Sequence, residues 1–209
     1  MTVINAILEA EEIAQTCKAA IFDLDDTLYS EKAYVKSGYK AVAAAFPQIE
    51  NMQEKLWDAF LRGGKAIDEV LTAENACTEE NKDKCLQIYR FHTPTIALYE
   101  GVEDMLKRLK NAGVKLGLIT DGRSEGQRAK IKALGIENLF DSVIITDELG
   151  GVEYRKPCEK SFVLTCERLG VAFADAVYIG DNLRKDFIAP EKLGMKACYF
   201  KNPDGLYTE

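Results

Sequence analysis

Short acidic side chains follow two segments that the sequence predicts to be buried strands. Asp23 and Asp25 come directly after the apolar run 19–22. They are two residues apart, so both side chains leave the same face of an extended segment. Asp181 follows a second such run, 176–179. If these carboxylates meet, their charges repel unless a cation binds among them. Oxygen ligands of this kind suit magnesium, which also bridges to phosphate.

Two further loops carry groups that would bind a phosphoryl group. Thr120, Asp121 and Gly122 follow the predicted strand 114–119, and Lys156 lies in a later loop. With a metal ion present, one carboxylate is free to attack phosphorus as a nucleophile. The transferred group then needs positive charge and hydrogen-bond donors around its oxygens. Lys156 supplies the charge, Thr120 a hydroxyl, and the backbone at Asp121 and Gly122 N–H groups.

The part of the chain after residue 94 alternates between predicted strands and helices of about ten residues. This pattern favours a parallel sheet covered by helices, whose ligands bind beyond the carboxyl ends of the strands. Four loops would then deliver polar groups to one end of the sheet. The predicted strands are 18–24, 114–119, 142–145, 176–179 and 196–200, and the predicted helices are 102–112, 125–134, 158–169 and 186–193.

A helical segment interrupts this alternation after the first strand. Its sequence shows helical patterns and poor strand signals. We therefore expect an α/β core formed by residues 1–29 and 95–209, with residues 30–94 inserted as a small helical cap. The predicted cap helices are 31–46, 52–61, 66–76 and 79–91, and one further amphipathic helix is predicted over residues 3–16.

Four motifs in this order closely resemble the haloacid dehalogenase superfamily, over roughly residues 18–200. The resemblance implies a Rossmann-like three-layer sandwich with a central parallel sheet and an inserted helical cap, as in the phosphatases of that superfamily. The motifs are Ile21-Phe22-Asp23-Leu24-Asp25-Asp26-Thr27-Leu28, Gly117-Leu118-Ile119-Thr120-Asp121-Gly122, Arg155-Lys156-Pro157, and Tyr178-Ile179-Gly180-Asp181-Asn182 with Asp186.

The resemblance also implies a role for each matched residue. Asp23 matches the nucleophile that becomes an aspartyl phosphate. Asp25 matches the general acid for the leaving oxygen and later the base for water, and its backbone carbonyl would reach the metal. Thr120 and Lys156 match the pair that holds the phosphate. Asp181 matches a direct ligand of Mg²⁺.

The resemblance also implies a role for Asp186, and the residue at position 25 indicates the type of reaction. Asp186 is similar to the residue that supports the metal from a second shell, although it could instead cap the helix that begins near it. The acid at position 25 favours hydrolysis of phosphate esters, because dehalogenases of the superfamily lack an acid there. The implied activity is hydrolysis of a small phosphate monoester, such as a sugar phosphate or a nucleotide.

Three other functions remain open on the sequence. A phosphomutase would use comparable motifs and a cap to move a phosphoryl group within a sugar. A signalling receiver domain also uses an acidic cluster, a phosphorylated Asp, a Thr and a Lys, but it is about half this length and has no inserted helical segment. A binding protein on the same scaffold need not retain every reacting group.

Composition limits the partners. Lysine and arginine number 27 against 34 aspartates and glutamates, so the formal charge is 27 − 34 = −7. An acidic chain repels nucleic acid and anionic membranes, and no apolar run is long enough to span a bilayer. The six cysteines are scattered, as expected of reduced thiols, and we expect a cytoplasmic protein. The oligomeric state is not indicated.

Overall fold

The computed structural model describes residues 1–206, and the chain divides into two compact units. The first consists of residues 1–31 together with the chain from Ile96 onward, and the second is Lys32–Thr95. No helix in the described part of the chain is long and apolar enough to cross a membrane.

The first unit is built on a six-stranded sheet in which every pair of neighbouring strands is parallel. The strands are β1 (Thr2–Ile4), β2 (Ala19–Phe22), β3 (Lys115–Thr120), β4 (Ser142–Ile145), β5 (Ala176–Gly180) and β6 (Lys196–Phe200). Their order in the sheet is β1-β6-β5-β2-β3-β4, so β2 lies between β5 and β3. This sheet, flanked by helices, confirms the predicted Rossmann-like α/β fold.

The predicted helices of this unit are present, with ends that shift by at most two residues. The exception is the N-terminus, where the prediction of one helix over 3–16 is wrong. There β1 pairs with β6, and a 3-10 turn at Ile7–Glu9 leads into a helix of only five residues. The helices are α1 (Ala10–Ala14), α6 (Val102–Asn111), α7 (Ser124–Leu134), α8 (Lys160–Leu169) and α9 (Ile188–Leu193), and further 3-10 turns occur at Glu137–Leu139, Thr146–Leu149, Val152–Tyr154 and Phe173–Asp175.

The register of the sheet aligns the carboxyl ends of its central strands. Phe22 of β2 pairs with Leu118 of β3 and with Ile179 of β5. Both faces of these strands are buried, as expected where helices cover a parallel sheet. The loops that follow β2, β3 and β5 therefore leave the sheet at the same end.

The second unit is helical, as its sequence pattern predicts. Its own apolar core includes Val42, Leu56, Leu71 and Cys85, all at most 1% exposed. The helices are α2 (Glu31–Ala44), α3 (Met52–Leu61), α4 (Ala66–Ala73) and α5 (Glu79–Phe91).

Candidate active site

Asp23 lies at the end of β2, where the sheet register fixes its backbone. Its N–H donates to the carbonyl of Ile179 at 2.9 Å. Asp23 is 3% exposed, and its Oδ1 lies 2.7 Å from Lys156 Nζ. Burial raises the pKa of Asp23 to about 6, and the ammonium of Lys156 opposes this rise. Asp23 is thus a buried carboxylate, paired with a lysine, at the carboxyl end of β2.

Three carboxylates gather at this point. Asp23, Asp181 and Asp186 each offer one oxygen, and these atoms lie within 4.8 Å of one another. Burial, followed by the neighbouring charges of Asp23 and Asp186, raises the pKa of Asp181 to about 8. Such crowding is costly without a cation, and an all-oxygen donor set fits Mg²⁺. The predicted metal ligands Asp23 and Asp181 are therefore brought together, and Asp186 joins them.

Asp186 is not a helix cap. Its Oδ2 accepts the N–H of Asn182 at 3.0 Å, and Oδ1 lies 2.9 Å from Lys156 Nζ. The helix α9 begins two residues later, and Phe187 occupies its N-cap position. Asp186 thus closes the loop after β5 and contacts the same lysine as Asp23.

Lys156 is the cation of this cluster. Its side chain is fully buried, and Nζ also donates to the hydroxyl of Tyr178 at 2.9 Å. Burial alone would lower the pKa of Lys156, but the carboxylates of Asp186 and Asp23 outweigh it and raise the pKa well above its ordinary value. The lysine therefore stays charged. Tyr178, on β5, is a partner that the sequence interpretation did not include.

The loop after β3 is tied to Lys156 through Asp121. Asp121 Oδ1 accepts the backbone N–H of Lys156 and the hydroxyl of Thr146, both at 3.0 Å. Its Oδ2 accepts Lys185 Nζ at 2.9 Å. The pKa of Asp121 is lowered: burial opposes ionisation, but Lys156 and Lys185 outweigh it. Asp121 thus fixes the position of the predicted phosphate-holding lysine.

Thr120 and Gly122 flank Asp121 at the same end of the sheet. Thr120 is fully buried, and its Oγ1 contacts the amide Nε2 of Gln127 in α7. Gly122 has a φ of +135°, a conformation that a residue with a side chain rarely adopts. The residues predicted to bind phosphate thus lie together at this end of the sheet, and Gln127 is an additional neighbour.

Asp25 turns its carboxylate toward α7. Lys130 Nζ donates to Oδ1 at 2.7 Å, Gln127 Nε2 donates to Oδ2 at 2.8 Å, and the hydroxyl of Tyr29 also contacts Oδ1. Burial opposes ionisation, but the charge of Lys130 and these hydrogen bonds outweigh it, so the pKa of Asp25 is lowered. The predicted acid–base group is therefore ionised in this arrangement.

A cavity of about 240 Å³ opens onto these groups. Three of the charged side chains around it are not among the predicted site residues. Arg155 belongs to the third motif but carries no predicted role, Lys185 directly precedes Asp186, and Glu31 lies three residues after the end of the first motif. Burial, then repulsion from Asp25, raises the pKa of Glu31 to about 8. The cavity is lined by Asp23, Asp25, Glu31, Asp121, Arg155, Asp181, Asn182 and Lys185.

Comparison with known proteins assigns this chain to a family. Residues 20–200 match the family model described as haloacid dehalogenase-like hydrolase. A glyceraldehyde 3-phosphate phosphatase of Methanocaldococcus jannaschii is 32% identical over 191 residues, which cover 85% of this chain and 82% of that protein. A putative pyrophosphatase PpaX of Clostridium perfringens is 28% identical over 189 residues, covering 88% of this chain and 84% of that one.

A solved structure shows the same fold at lower sequence similarity. The putative HAD-hydrolase YfnB of Bacillus subtilis superposes with a TM-score of 0.64 at 20% identity, covering 88% of this chain and 86% of that chain. The family match extends over most of the chain and includes all four motifs. The chain therefore belongs to the haloacid dehalogenase-like hydrolase family.

Proposed function

We propose that this chain is a magnesium-dependent phosphatase that hydrolyses a small phosphate monoester through an aspartyl phosphate on Asp23. The observation that carries the proposal is the contact of Lys156 with Asp23, 2.7 Å from Nζ to Oδ1, inside a cluster of three carboxylates. Family membership and relatives named as phosphatases support the same reaction class.

Asp23 and Asp181 are the proposed carboxylate ligands of Mg²⁺, with the backbone carbonyl of Asp25 as a third ligand and Asp186 in the second shell. When all three clustered carboxylates are ionised, their charge and that of the Lys156 ammonium sum to about −2, which a divalent cation balances. When bound there, Mg²⁺ would neutralise the carboxylates and the oxygens of the phosphoryl group.

Asp23 is the nucleophile in this proposal. One carboxylate oxygen attacks phosphorus, the bond from phosphorus to the ester oxygen breaks, and an aspartyl phosphate forms. Lys156 and Thr120 would hold the equatorial oxygens, together with the backbone N–H groups of Asp121 and Gly122. Lys156 already contacts the nucleophile, so its charge stands where the phosphoryl group would arrive.

Asp25 moves the protons. It gives a proton to the departing ester oxygen, and it then takes one from the water that attacks the aspartyl phosphate. The negative charge of an arriving phosphate favours the protonated form needed first. The ionised form, which the ammonium of Lys130 favours, is the one needed in the second step. Inorganic phosphate and the free alcohol are the products.

We propose residues 30–94 as the cap and residues 1–29 with 95–209 as the catalytic core. The division of the chain near residues 31 and 96 supports this assignment. A cap of this kind would exclude water and select the leaving group. The two named relatives act on different phosphates by name, so they support phosphatase chemistry and leave the ester open.

A phosphate-release screen over small metabolites tests this function. The panel holds sugar phosphates, nucleotides, three-carbon phosphates and pyrophosphate, each with Mg²⁺. We expect turnover of at least one ester, its abolition in Asp23→Asn, and normal turnover in Asp104→Asn, which changes an exposed aspartate of α6. Analysis of the products formed from the sugar phosphates distinguishes hydrolysis from the transfer of phosphate within the sugar that a phosphomutase would catalyse. Near-normal activity of Asp23→Asn would overturn the proposal.

A further inference from the structure

Two buried polar residues of α7 hold the carboxylate of Asp25. Lys130 is 6% exposed and Gln127 is 3% exposed, although both types are usually found at the surface. Lys130 Nζ lies 2.7 Å from Oδ1 of Asp25, and Gln127 Nε2 lies 2.8 Å from Oδ2. Both oxygens of the proposed acid–base group are thus bound from a single helix.

The spacing within α7 makes this arrangement possible. Gln127 and Lys130 are three residues apart and therefore share one face of the helix. Ile131, one position further, is buried on the same side, so the two polar residues occupy positions where an apolar stripe is expected. Burying a lysine is costly unless an opposite charge compensates it, and Asp25 provides that charge.

Gln127 also links Asp25 to the phosphate-binding loop. Its Nε2 lies 2.9 Å from the carbonyl oxygen of Asp121 and contacts Oγ1 of Thr120. A single amide therefore faces the proposed acid–base group and two residues of the loop after β3. Any shift of this side chain would change the spacing between Asp25 and the phosphoryl group.

We propose that Lys130 and Gln127 are positioning residues that fix the Asp25 carboxylate in line with the leaving oxygen of the substrate. This role rests on the proposed function. Proton transfer requires the donor and acceptor atoms to be within hydrogen-bond reach, and a displacement of about 1 Å can cost about 100-fold in rate. Restraint of both carboxylate oxygens, with the hydroxyl of Tyr29 as a third donor, limits rotation of the Asp25 side chain.

Lys130→Met tests this role because it removes the ammonium and keeps a long apolar side chain. The readout is kcat/KM, which includes every step up to departure of the leaving group. Two esters are compared, glycerol 3-phosphate and p-nitrophenyl phosphate. The alkoxide that leaves glycerol 3-phosphate needs a proton, whereas the p-nitrophenolate that leaves p-nitrophenyl phosphate departs readily without one. A positioning role predicts a loss of about 100-fold on the first ester and less than about 5-fold on the second.

Two further variants accompany this comparison. Gln127→Met removes the second donor without changing charge, and we expect the same selectivity with a smaller loss, about 10-fold on the alkyl ester. Lys132→Met is the control: it is the same change from lysine to methionine, made at an exposed position of the same helix. We expect wild-type kinetics on both esters for this variant. Circular dichroism and a thermal melt confirm that each variant is folded.

The outcomes separate this role from the proposed function. Equal losses on the two esters in folded Lys130→Met and Gln127→Met, or no loss in either variant, would overturn the positioning role while the phosphatase assignment stands. A wild-type protein that releases no phosphate from either ester or from the wider panel would overturn both. A selective loss on the alkyl ester in both variants, absent from Lys132→Met, is the result that we expect.

Discussion

Lys156 Nζ lies 2.7 Å from Asp23 Oδ1, and the same atom lies 2.9 Å from Asp186 Oδ1. One ammonium therefore bridges the end of β2 and the loop after β5. Both carboxylates and the lysine are buried, so water screens none of these charges effectively. The stability of the fold and the proposed chemistry thus involve the same three side chains.

Lys156→Met should destabilise the protein. The variant leaves Asp23 and Asp186 buried beside Asp181 without their cation, which typically costs about 3 kcal/mol. We expect a fall of that size in the free energy of unfolding at pH 8 in EDTA, and a smaller fall at pH 5, where the carboxylates can take up protons. Urea denaturation measures both values. Lys132→Met, at an exposed site, should leave the free energy of unfolding unchanged at both pH values. If Lys156→Met were as stable as the wild type, the account would be contradicted.

Magnesium should stabilise the protein more as the pH rises. The pKa of Asp181 in the folded chain is about 8, above its ordinary value of 3.8, so the folded state binds more protons than the unfolded state. Stability without metal should therefore fall as the pH rises from about 4 to 8. We expect the Tm difference between Mg²⁺ and EDTA to be several degrees larger at pH 8 than at pH 5. Activity should disappear in EDTA and return with Mg²⁺.

The control for this prediction is Asp181→Asn. The variant removes one proposed ligand and the charge that crowds the cluster, so its Tm should depend much less on Mg²⁺ at either pH. The account would be contradicted if the Tm difference of the wild type did not change with pH, or if the enzyme were fully active in chelator. Either result would show that the carboxylate cluster is not the site of metal binding.

Gly180→Ala should weaken the response to magnesium. A methyl group at this position would come within 2.5 Å of Asp186 Oδ2. Because Asp186 is held by Lys156 and by the N–H of Asn182, we expect it to shift and disturb the cluster. The Mg²⁺ concentration for half-maximal activity should rise about 10-fold or more.

A second glycine provides the control for Gly180→Ala. Gly194 follows α9 with a φ of +74°, and a methyl group there would contact nothing within 4 Å. Gly194→Ala should lose about 1 kcal/mol of stability from its backbone and keep the magnesium response of the wild type. If the two variants respond to magnesium alike, Gly180 does not act through Asp186.

The fold could be predicted wherever the pattern of the sequence is local. The buried run of β2 and the strand–helix alternation after residue 94 each carry their own signal, and both are found as predicted. The strand β1 was missed because it has only three residues, and its hydrogen bonds come from β6 at the other end of the chain. A short edge strand of this kind has no periodicity that distinguishes it from a helix start.

The site could be predicted only as far as the motifs extend. Asp23 and Asp181 follow two strands that pair in the sheet, and Lys156 lies in a later loop; the structure brings the three residues together. The direction of the Asp25 side chain depends on Lys130 and Gln127, which lie more than a hundred residues away in the sequence. The available signal was two polar residues at core positions of α7, which sequence reasoning treated as ordinary helix residues.

Trapping the phosphorylated enzyme tests the central claim most directly. The protein is mixed with its best substrate and Mg²⁺, quenched, and treated with borohydride, which reduces an aspartyl phosphate to homoserine. Peptide mass spectrometry then identifies the sequence position of the homoserine. We expect homoserine at position 23 in the wild type and none in Asp23→Asn. Homoserine at another aspartate, or none anywhere during steady turnover, would contradict covalent catalysis by Asp23.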